Sequence, residues 1–371
     1  MNEETVLRIM HEEGIDMVAS LPCDKNKRFT ALLETEFPVI DLAREEDGVG
    51  IGAGVVLAGK RPLVSIQSSG LGNMLNALLS LSCVYHFPLP ILASWRGVCD
   101  EKICAQIPFN APLPKLLDVY NIPYRICRSA EDLEGIREVI RGAFAEQTPY
   151  VALILPSCWD PQQDAPITYP KRSLPDRTFF LPGYAEPELT RLEAIKEIVS
   201  AVPKNAVIIS NIGVPSKELY ASGDRAGNFY MLGSYMQASA IGLGCAFSSP
   251  KTPVYVIDGD GSLLGSAVLP VIAAQNCEHL HILALDNGTF GSTGNQISPA
   301  YETADIGMLA RAAGITSVER AATPSEISSA VAKGTSFVHL LIRPGNSASP
   351  NIPLSPEEIR SRVEQFIRET G

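Results

Sequence analysis

The chain has 371 residues, which at roughly 100–200 residues per domain makes room for two domains with substantial cores. Asp and Glu number 41 against 30 Lys and Arg, a formal charge of −11, and no segment gathers the basic residues, which excludes a nucleic-acid footprint. Apolar residues reach 46 % and charged residues 19 %, too apolar for disorder, yet no run of ~18 apolar residues could span a bilayer, so a soluble globular protein with no membrane partner is expected.

The first residues, Met1-Asn2-Glu3-Glu4-Thr5-Val6-Leu7-Arg8, are acidic and amphipathic, unlike a secretory signal, so a cytoplasmic location is expected. The eight cysteines, at 23, 83, 99, 104, 127, 158, 245 and 277, form no CxxC pair and no zinc or iron–sulfur spacing. β-branched runs then alternate with amphipathic stretches, the pattern of βα units feeding a mostly parallel sheet. In chain order the spacing predicts strands at Ile15–Ser20, Pro38–Leu42, Pro62–Gln67, Leu89–Ser94, Pro123–Ile126 and Tyr150–Leu155. After a proline-rich stretch (Pro156, Pro161, Pro166, Pro170, Pro175, Pro182, Pro187) they resume at Ala206–Ser210, Asn228–Leu232, Pro253–Asp258, His279–Asp286, Ile315–Glu319 and Ser336–Ile342. The expectation is an α/β protein of two domains, 1–165 and 186–371, each a mostly parallel sheet flanked by helices, with 166–185 as linker. Duplication and fusion of two once-separate chains explain such halves equally well.

The sharpest local signal is Val254-Tyr255-Val256-Ile257-Asp258-Gly259-Asp260-Gly261-Ser262, a strand running into a glycine turn that opens a helix, where backbone N–H groups suit a phosphate. A rival reading is a dinucleotide fingerprint in an NAD(P)-binding oxidoreductase, since Gly259, Gly261 and Gly265 form GxGxxxG and Asp286 ends the next strand. Asp260 argues against it, because a carboxylate inside the turn repels a pyrophosphate unless a divalent cation bridges the two. The strand ending at Asp286 delivers Asn287-Gly288-Thr289 beside that turn through a right-handed crossover. Asp and Asn at adjacent strand ends are hard oxygen ligands suited to Mg²⁺, giving a metal-bridged diphosphate site.

Gly-Asp-Gly-Ser followed 27 residues after its Asp by an Asn resembles the signature of the thiamine-diphosphate-dependent enzymes. By that resemblance Asp260, Asn287 and the carbonyl of Thr289 hold the metal, and Gly259, Gly261 and Ser262 belong to the cofactor turn. The family activates its cofactor with a Glu nine residues before a helical Gly. Glu45 has that offset from Gly54 in Leu42-Ala43-Arg44-Glu45-Glu46-Asp47-Gly48. Glu46 is the alternative, and acidic residues also simply favour a helix first turn. Asn211-Ile212-Gly213-Val214-Pro215-Ser216 and Leu232-Gly233-Ser234-Tyr235-Met236 occupy turns that touch diphosphate and aminopyrimidine in the family. This implicates Gly213, Ser216, Gly233 and Tyr235, the last as the prop for the bent cofactor. Relatives read Gly-Ser-Met-Gly at the second turn, so Tyr235 and Met236 depart from the pattern.

The chain lacks the length for the middle domain of the larger 2-oxo acid decarboxylases. Its layout is similar to phosphonopyruvate and sulfopyruvate decarboxylases, and Leu21-Pro22-Cys23, Ser69-Gly70-Leu71-Gly72-Asn73, Trp95-Arg96-Gly97 and Leu285-Asp286-Asn287-Gly288-Thr289-Phe290-Gly291 most resemble the sulfopyruvate branch, as if its two subunits were joined end to end. The resemblance implies non-oxidative decarboxylation of 3-sulfopyruvate in coenzyme M biosynthesis, with phosphonopyruvate as the alternative substrate. A small anionic 2-oxo acid needs cations and N–H or O–H donors, and Lys27, Ser68, Ser69, Arg96 and Lys102 stand after strand ends, where α/β folds bind substrates. The resemblance further implies that Glu45 hydrogen-bonds the aminopyrimidine ring nitrogen, and that sites form between subunits of a homodimer or larger assembly. No histidine pair or glycine-turn histidine offers itself as a proton donor, and His279 and His281 read as structural.

Overall fold

The computed structural model describes residues 1–161 and 181–371; most of the expected linker therefore lies outside the described residues. The described chain falls into two compact units, one of residues 1–45, 61–75 and 88–161, the other of residues 46–60, 76–87 and 181–371. Two stretches of the N-terminal half thus pack with the C-terminal half.

The first unit is built on one sheet of β1 (Met17–Ser20), β2 (Val39–Asp41), β3 (Pro62–Gln67), β4 (Leu89–Ser94), β5 (Tyr124–Cys127) and β6 (Pro149–Ile154). Its order is β2-β1-β3-β4-β6-β5, and all pairs are parallel. Central β3 and β4 are buried almost end to end while edge strand β5 is half-buried, as expected of a sheet covered by helices.

The second unit holds β7 (Val207–Ser210), β8 (Asn228–Tyr230), β9 (Val254–Gly259), β10 (Leu280–Asp286), the short hairpin β11 (Thr289–Phe290) and β12 (Gln296–Ile297), then β13 (Val318–Ala321) and β14 (Phe337–Leu341). Its main sheet runs β8-β7-β9-β10-β14-β13, again wholly parallel. Leaving the hairpin aside, this is the order of the first sheet strand for strand. In each sheet the strand order reverses beside the first strand, between β1 and β3 and between β7 and β9. Such a switch point opens a crevice at the carboxyl ends of the strands.

The expected twelve strands are all present, with one displaced. Ile315 does not begin β13: the helix Ile306–Ala313 closes on Gly314 at φ +120°, and the Ile315 N–H bonds back to the Ala310 carbonyl, so this residue belongs to a helix cap. The helix after β3 starts at Gly70, and the one expected to open at the Gly259–Ser262 turn is two pieces, Asp260–Gly265 and Val268–Gln275, broken at an extended Ser266.

Helix Asp47–Leu57 buries all of its residues, and it lies against helix Ala238–Ser248 within the second unit. Glycines permit the approach. A Cβ on Gly54 would stand 2.0 Å from the Ile241 carbonyl oxygen, and one on Gly244 2.0 Å from that of Ile51. Gly54→Ala should therefore push the helices apart and lower stability by about 2–3 kcal/mol, read as a lower urea midpoint; an unchanged midpoint would show that the seam can open without loss.

Candidate active site

At the second switch point, Asn211 follows β7, Asp260 follows β9 and Asn287 follows β10, and all three line one cleft with Gly261, Ser262 and Thr289. Asp260 is only 3 % exposed, and its Oδ2 accepts a hydrogen bond from the Ser298 hydroxyl. Burial pushes this carboxyl up to about 6; the Ser298 hydroxyl opposes the shift and the negative charge of Asp286 adds to it. After β10 the chain turns sharply at Gly288, at φ +62°. The Gly288 N–H donates to Asp286 Oδ1 at 2.9 Å and the Thr289 N–H to Asn287 Oδ1 at 3.0 Å. The Thr289 hydroxyl is buried with no hydrogen-bond partner among the described residues.

These features fit a bound divalent cation and phosphate. A carboxylate desolvated beside a second acid is stabilised by a cation, and an orphaned buried hydroxyl is satisfied by an oxyanion or a metal-held water. Among the described residues no three His, Cys, Asp or Glu side chains cluster for a metal. The set offered by Asp260, Asn287 and a backbone carbonyl is all oxygen and incomplete, which suits Mg²⁺ with phosphate and water completing its octahedron.

The flanking turns are more varied than expected. Gly213 has φ +79°, and a Cβ there would come within 2.9 Å of Ser292 Oγ. Ser216, expected at the cofactor, turns its hydroxyl back onto the Asn211 carbonyl at 2.8 Å, because the helix start it occupies leaves that acceptor within reach; only its backbone remains for a ligand. Gly233 lies against the Ser80 carbonyl, 3.0 Å from where its Cβ would stand. Tyr235 does line the cleft and donates to the Gly261 carbonyl at 2.5 Å. It is flanked by Ser234 at φ +69° and Met236 at φ +73°. Met236 therefore holds the left-handed geometry at the position where the family pattern has glycine. A Cβ on Gly265 would meet Met236 Sδ at 2.5 Å, so the absence of a side chain on this facing helix makes room for the methionine.

Asp286 settles the nicotinamide alternative. It is buried, bonded to His339 Nε2 at 2.7 Å and to the Gly288 N–H, and presents no oxygen to a ribose. No local sequence signal marks His339 as part of a site. Burial disfavours its charge, but Asp286 and Asp305 outweigh burial and raise its pKa. The remaining imidazole nitrogen accepts from the Gly307 N–H at 3.3 Å. The only signal was alternation in a strand, which marks core.

In the first unit, Glu45 is half-buried just ahead of helix Asp47–Leu57, and its Oε2 accepts from Asn73 Nδ2 at 2.9 Å. Its side chain lies over Gly70, where a Cβ would stand 2.5 Å from Glu45 Cγ. Gly70→Ala should displace that carboxylate and reduce turnover at least about tenfold, with cofactor affinity kept; equal loss of both in calorimetry and rate assays would mean a general collapse of the turn. Glu46 is buried at the start of the helix.

Two substrate candidates need correction. Ser68 is buried, donates to Asn110 Oδ1 at 2.5 Å and accepts from the Arg96 N–H at 3.0 Å, so its hydroxyl is fully used in holding the loop after β4. Arg96 is 3 % exposed, with Nε and Nη2 on Glu101 at 2.6 and 3.1 Å and Nη1 on Asp24 at 2.6 Å, and is not a free anion receptor. Its Asp24 partner is exposed, so this corner remains next to solvent. Lys27, at the start of helix Lys27–Glu36, and Lys102 are exposed, and Ser69 accepts from Gln67 Nε2 at 2.7 Å.

The Arg96 hydrogen bonds hold the Glu101 carboxyl down to about 2. A folded pKa below the unfolded one adds stability that is full above pH ~4.5 and is lost as pH falls toward 2. Acid unfolding of the wild type should steepen across that window, and Glu101→Gln should flatten it; parallel curves would assign the acid sensitivity elsewhere.

Residues 220–340 match the thiamine pyrophosphate enzyme, C-terminal TPP binding domain. A sulfopyruvate decarboxylase of Methanosarcina acetivorans is 43 % identical over 98 % of this chain and 97 % of its own. This chain belongs to the sulfopyruvate decarboxylase family of thiamine pyrophosphate enzymes. The two subunits of the Methanothermobacter thermautotrophicus member each match part of this chain: alpha at 33 % identity over 43 % of it, beta at 42 % over 49 %, covering 98 % and 95 % of those subunits. A phosphonopyruvate decarboxylase of Streptomyces viridochromogenes is 30 % identical over 95 % of this chain and 92 % of its own. The fold is shared with a thiamine diphosphate-dependent 4-hydroxybenzoylformate decarboxylase of Rhodococcus jostii, at TM-score 0.72 and 14 % identity, over 94 % of this chain and 100 % of that one. Membership gives this chain a thiamine pyrophosphate-binding domain, and the residues that match it lie in the second unit. Among the described residues no helix is long and apolar enough to cross a membrane.

Proposed function

We propose that this chain decarboxylates 3-sulfopyruvate to sulfoacetaldehyde and carbon dioxide with uptake of one proton, using thiamine diphosphate and Mg²⁺, as a step in coenzyme M biosynthesis. The observation that carries the substrate is end-to-end likeness to a sulfopyruvate decarboxylase at 43 % identity, against 30 % to a phosphonopyruvate decarboxylase. Bound thiamine diphosphate supplies an electron sink for the pair left when carbon dioxide departs. Asp260 Oδ, Asn287 Oδ1 and the Thr289 carbonyl hold the metal, with Gly213, Gly259, Gly261 and Ser262 around the diphosphate. Tyr235, fixed by its bond to Gly261, props the cofactor. Glu45 hydrogen-bonds the aminopyrimidine ring nitrogen, and Asn73 orients it. Lys27, Lys102 and Ser69 offer the donors for the substrate's sulfonate. A homodimer or larger assembly brings Glu45 of one copy to the metal turn of another.

The test is a coupled aldehyde-release assay with 3-sulfopyruvate and phosphonopyruvate side by side, with and without thiamine diphosphate and Mg²⁺. Sulfopyruvate turnover that needs both additions is expected. Preference for phosphonopyruvate would keep the chemistry and overturn the substrate; release that ignores the additions would overturn the cofactor assignment.

A further inference from the structure

Resting on that cofactor reading, we propose that Arg191 is a further binding residue of the site, directing one guanidinium nitrogen at the diphosphate. Arg191 opens helix Arg191–Ala201 and lines the same cleft as Asp260 and Asn287. It is 6 % exposed. Nε donates to Glu218 Oε2 at 2.7 Å, and Nη2 to Glu218 Oε1 at 3.3 Å and to Asn346 Oδ1 at 2.7 Å. Nη1 makes no hydrogen bond among the described residues, and it stands 3.1 Å from where a Cβ on Gly291 would be, on the turn that follows Asn287 and Thr289.

A guanidinium is planar, so fixing two of its nitrogens fixes the direction of the third. Glu218 and Asn346 do that fixing. Glu218 is buried and also takes the Ser347 N–H at 3.2 Å, while Asn346 Nδ2 donates to the Gly291 carbonyl at 2.7 Å, tying the cradle to the cleft wall. A structural ion pair accounts for Nε and Nη2 but leaves Nη1, beside Gly291 on the cleft wall, with its two protons unused among the described residues. Electrostatics supply the missing acceptor. One divalent cation that also binds Asp260 cannot neutralise a diphosphate, and a buried ion pair with its cationic end toward the cleft is a preoriented dipole for the remaining negative charge. Charge-assisted hydrogen bonds to phosphate are the use to which arginine's geometry is best suited.

Titration calorimetry of the full chain in Mg²⁺ with thiamine diphosphate, inorganic pyrophosphate and thiamine tests this. In the double variant Arg191→Gln/Glu218→Gln, which leaves no buried charge unpaired, both diphosphates should bind about ten- to a hundredfold more weakly and thiamine should be unaffected. Unchanged diphosphate binding by the folded double variant, or equal loss for thiamine, would overturn the assignment. Should that variant fail to fold, Arg191→Lys keeps the charge beside Glu218 and loses the fork; it should bind both diphosphates several-fold more weakly, and unchanged binding would again overturn it. A wild type that binds pyrophosphate but not thiamine diphosphate would instead sink the cofactor reading on which this rests.

Discussion

Asp260→Asn is expected to abolish cofactor-dependent turnover and to remove the thermal stabilisation that thiamine diphosphate and Mg²⁺ give the wild type. Of the carboxylates in the cleft, Asp258 is buried, accepts from Ser239 at 2.6 Å and is pushed up by its burial, so Asp260 is the one facing the ligand space. Asparagine keeps the shape and can still accept from Ser298, so the substitution removes charge alone. A hard cation loses its one anionic protein ligand, and Mg²⁺ affinity should fall at least about a hundredfold. The apo-variant should also melt at or above the wild-type temperature, since a desolvated carboxylate is a burden until its cation arrives. Melting curves with and without both ligands check each part. A variant that is still stabilised by them would remove Asp260 from the metal site.

Glu45→Gln should lower turnover about 10²- to 10⁴-fold while thiamine diphosphate affinity changes only a few-fold. The amide fills the same space over Gly70 and can still meet Asn73, so orientation survives and only the carboxyl's acid–base function is lost. Glu46→Gln is the paired control. That residue is buried at the start of its helix, and its replacement should be felt in stability; if instead the rate collapses with Glu46→Gln and survives Glu45→Gln, the activating acid is Glu46.

What the sequence made legible follows the range of its signals. Strands buried in a parallel sheet are continuous apolar runs, and the metal turn is a local string, so both could be read directly, and Asp260, Asn287 and Thr289 do meet. The hairpin Thr289–Phe290 with Gln296–Ile297 was invisible because two-residue strands are shorter than any periodicity. Arg96 reads as a substrate cation because sequence does not show that the loop folds Glu101 back onto its fork and that distant Asp24 takes the remaining nitrogen. Arg191, Glu218 and Asn346 come from three separate segments and share no motif. Met236 reads as a departure from the family pattern, and only its packing on Gly265 shows how the turn accommodates it.

The glycine seam between helices Asp47–Leu57 and Ala238–Ser248 also sets an order of events during synthesis. The earlier helix leaves the ribosome long before the later one exists, carrying Val49, Ile51, Val55 and Leu57 that are wholly or almost wholly hidden in the finished protein. Until residue 248 has emerged this surface lacks the partner it has in the finished protein, and the exposed apolar residues should make the nascent chain prone to aggregate. A protein made as two polypeptides would face the same exposure permanently unless both were produced together, so neither half should mature alone.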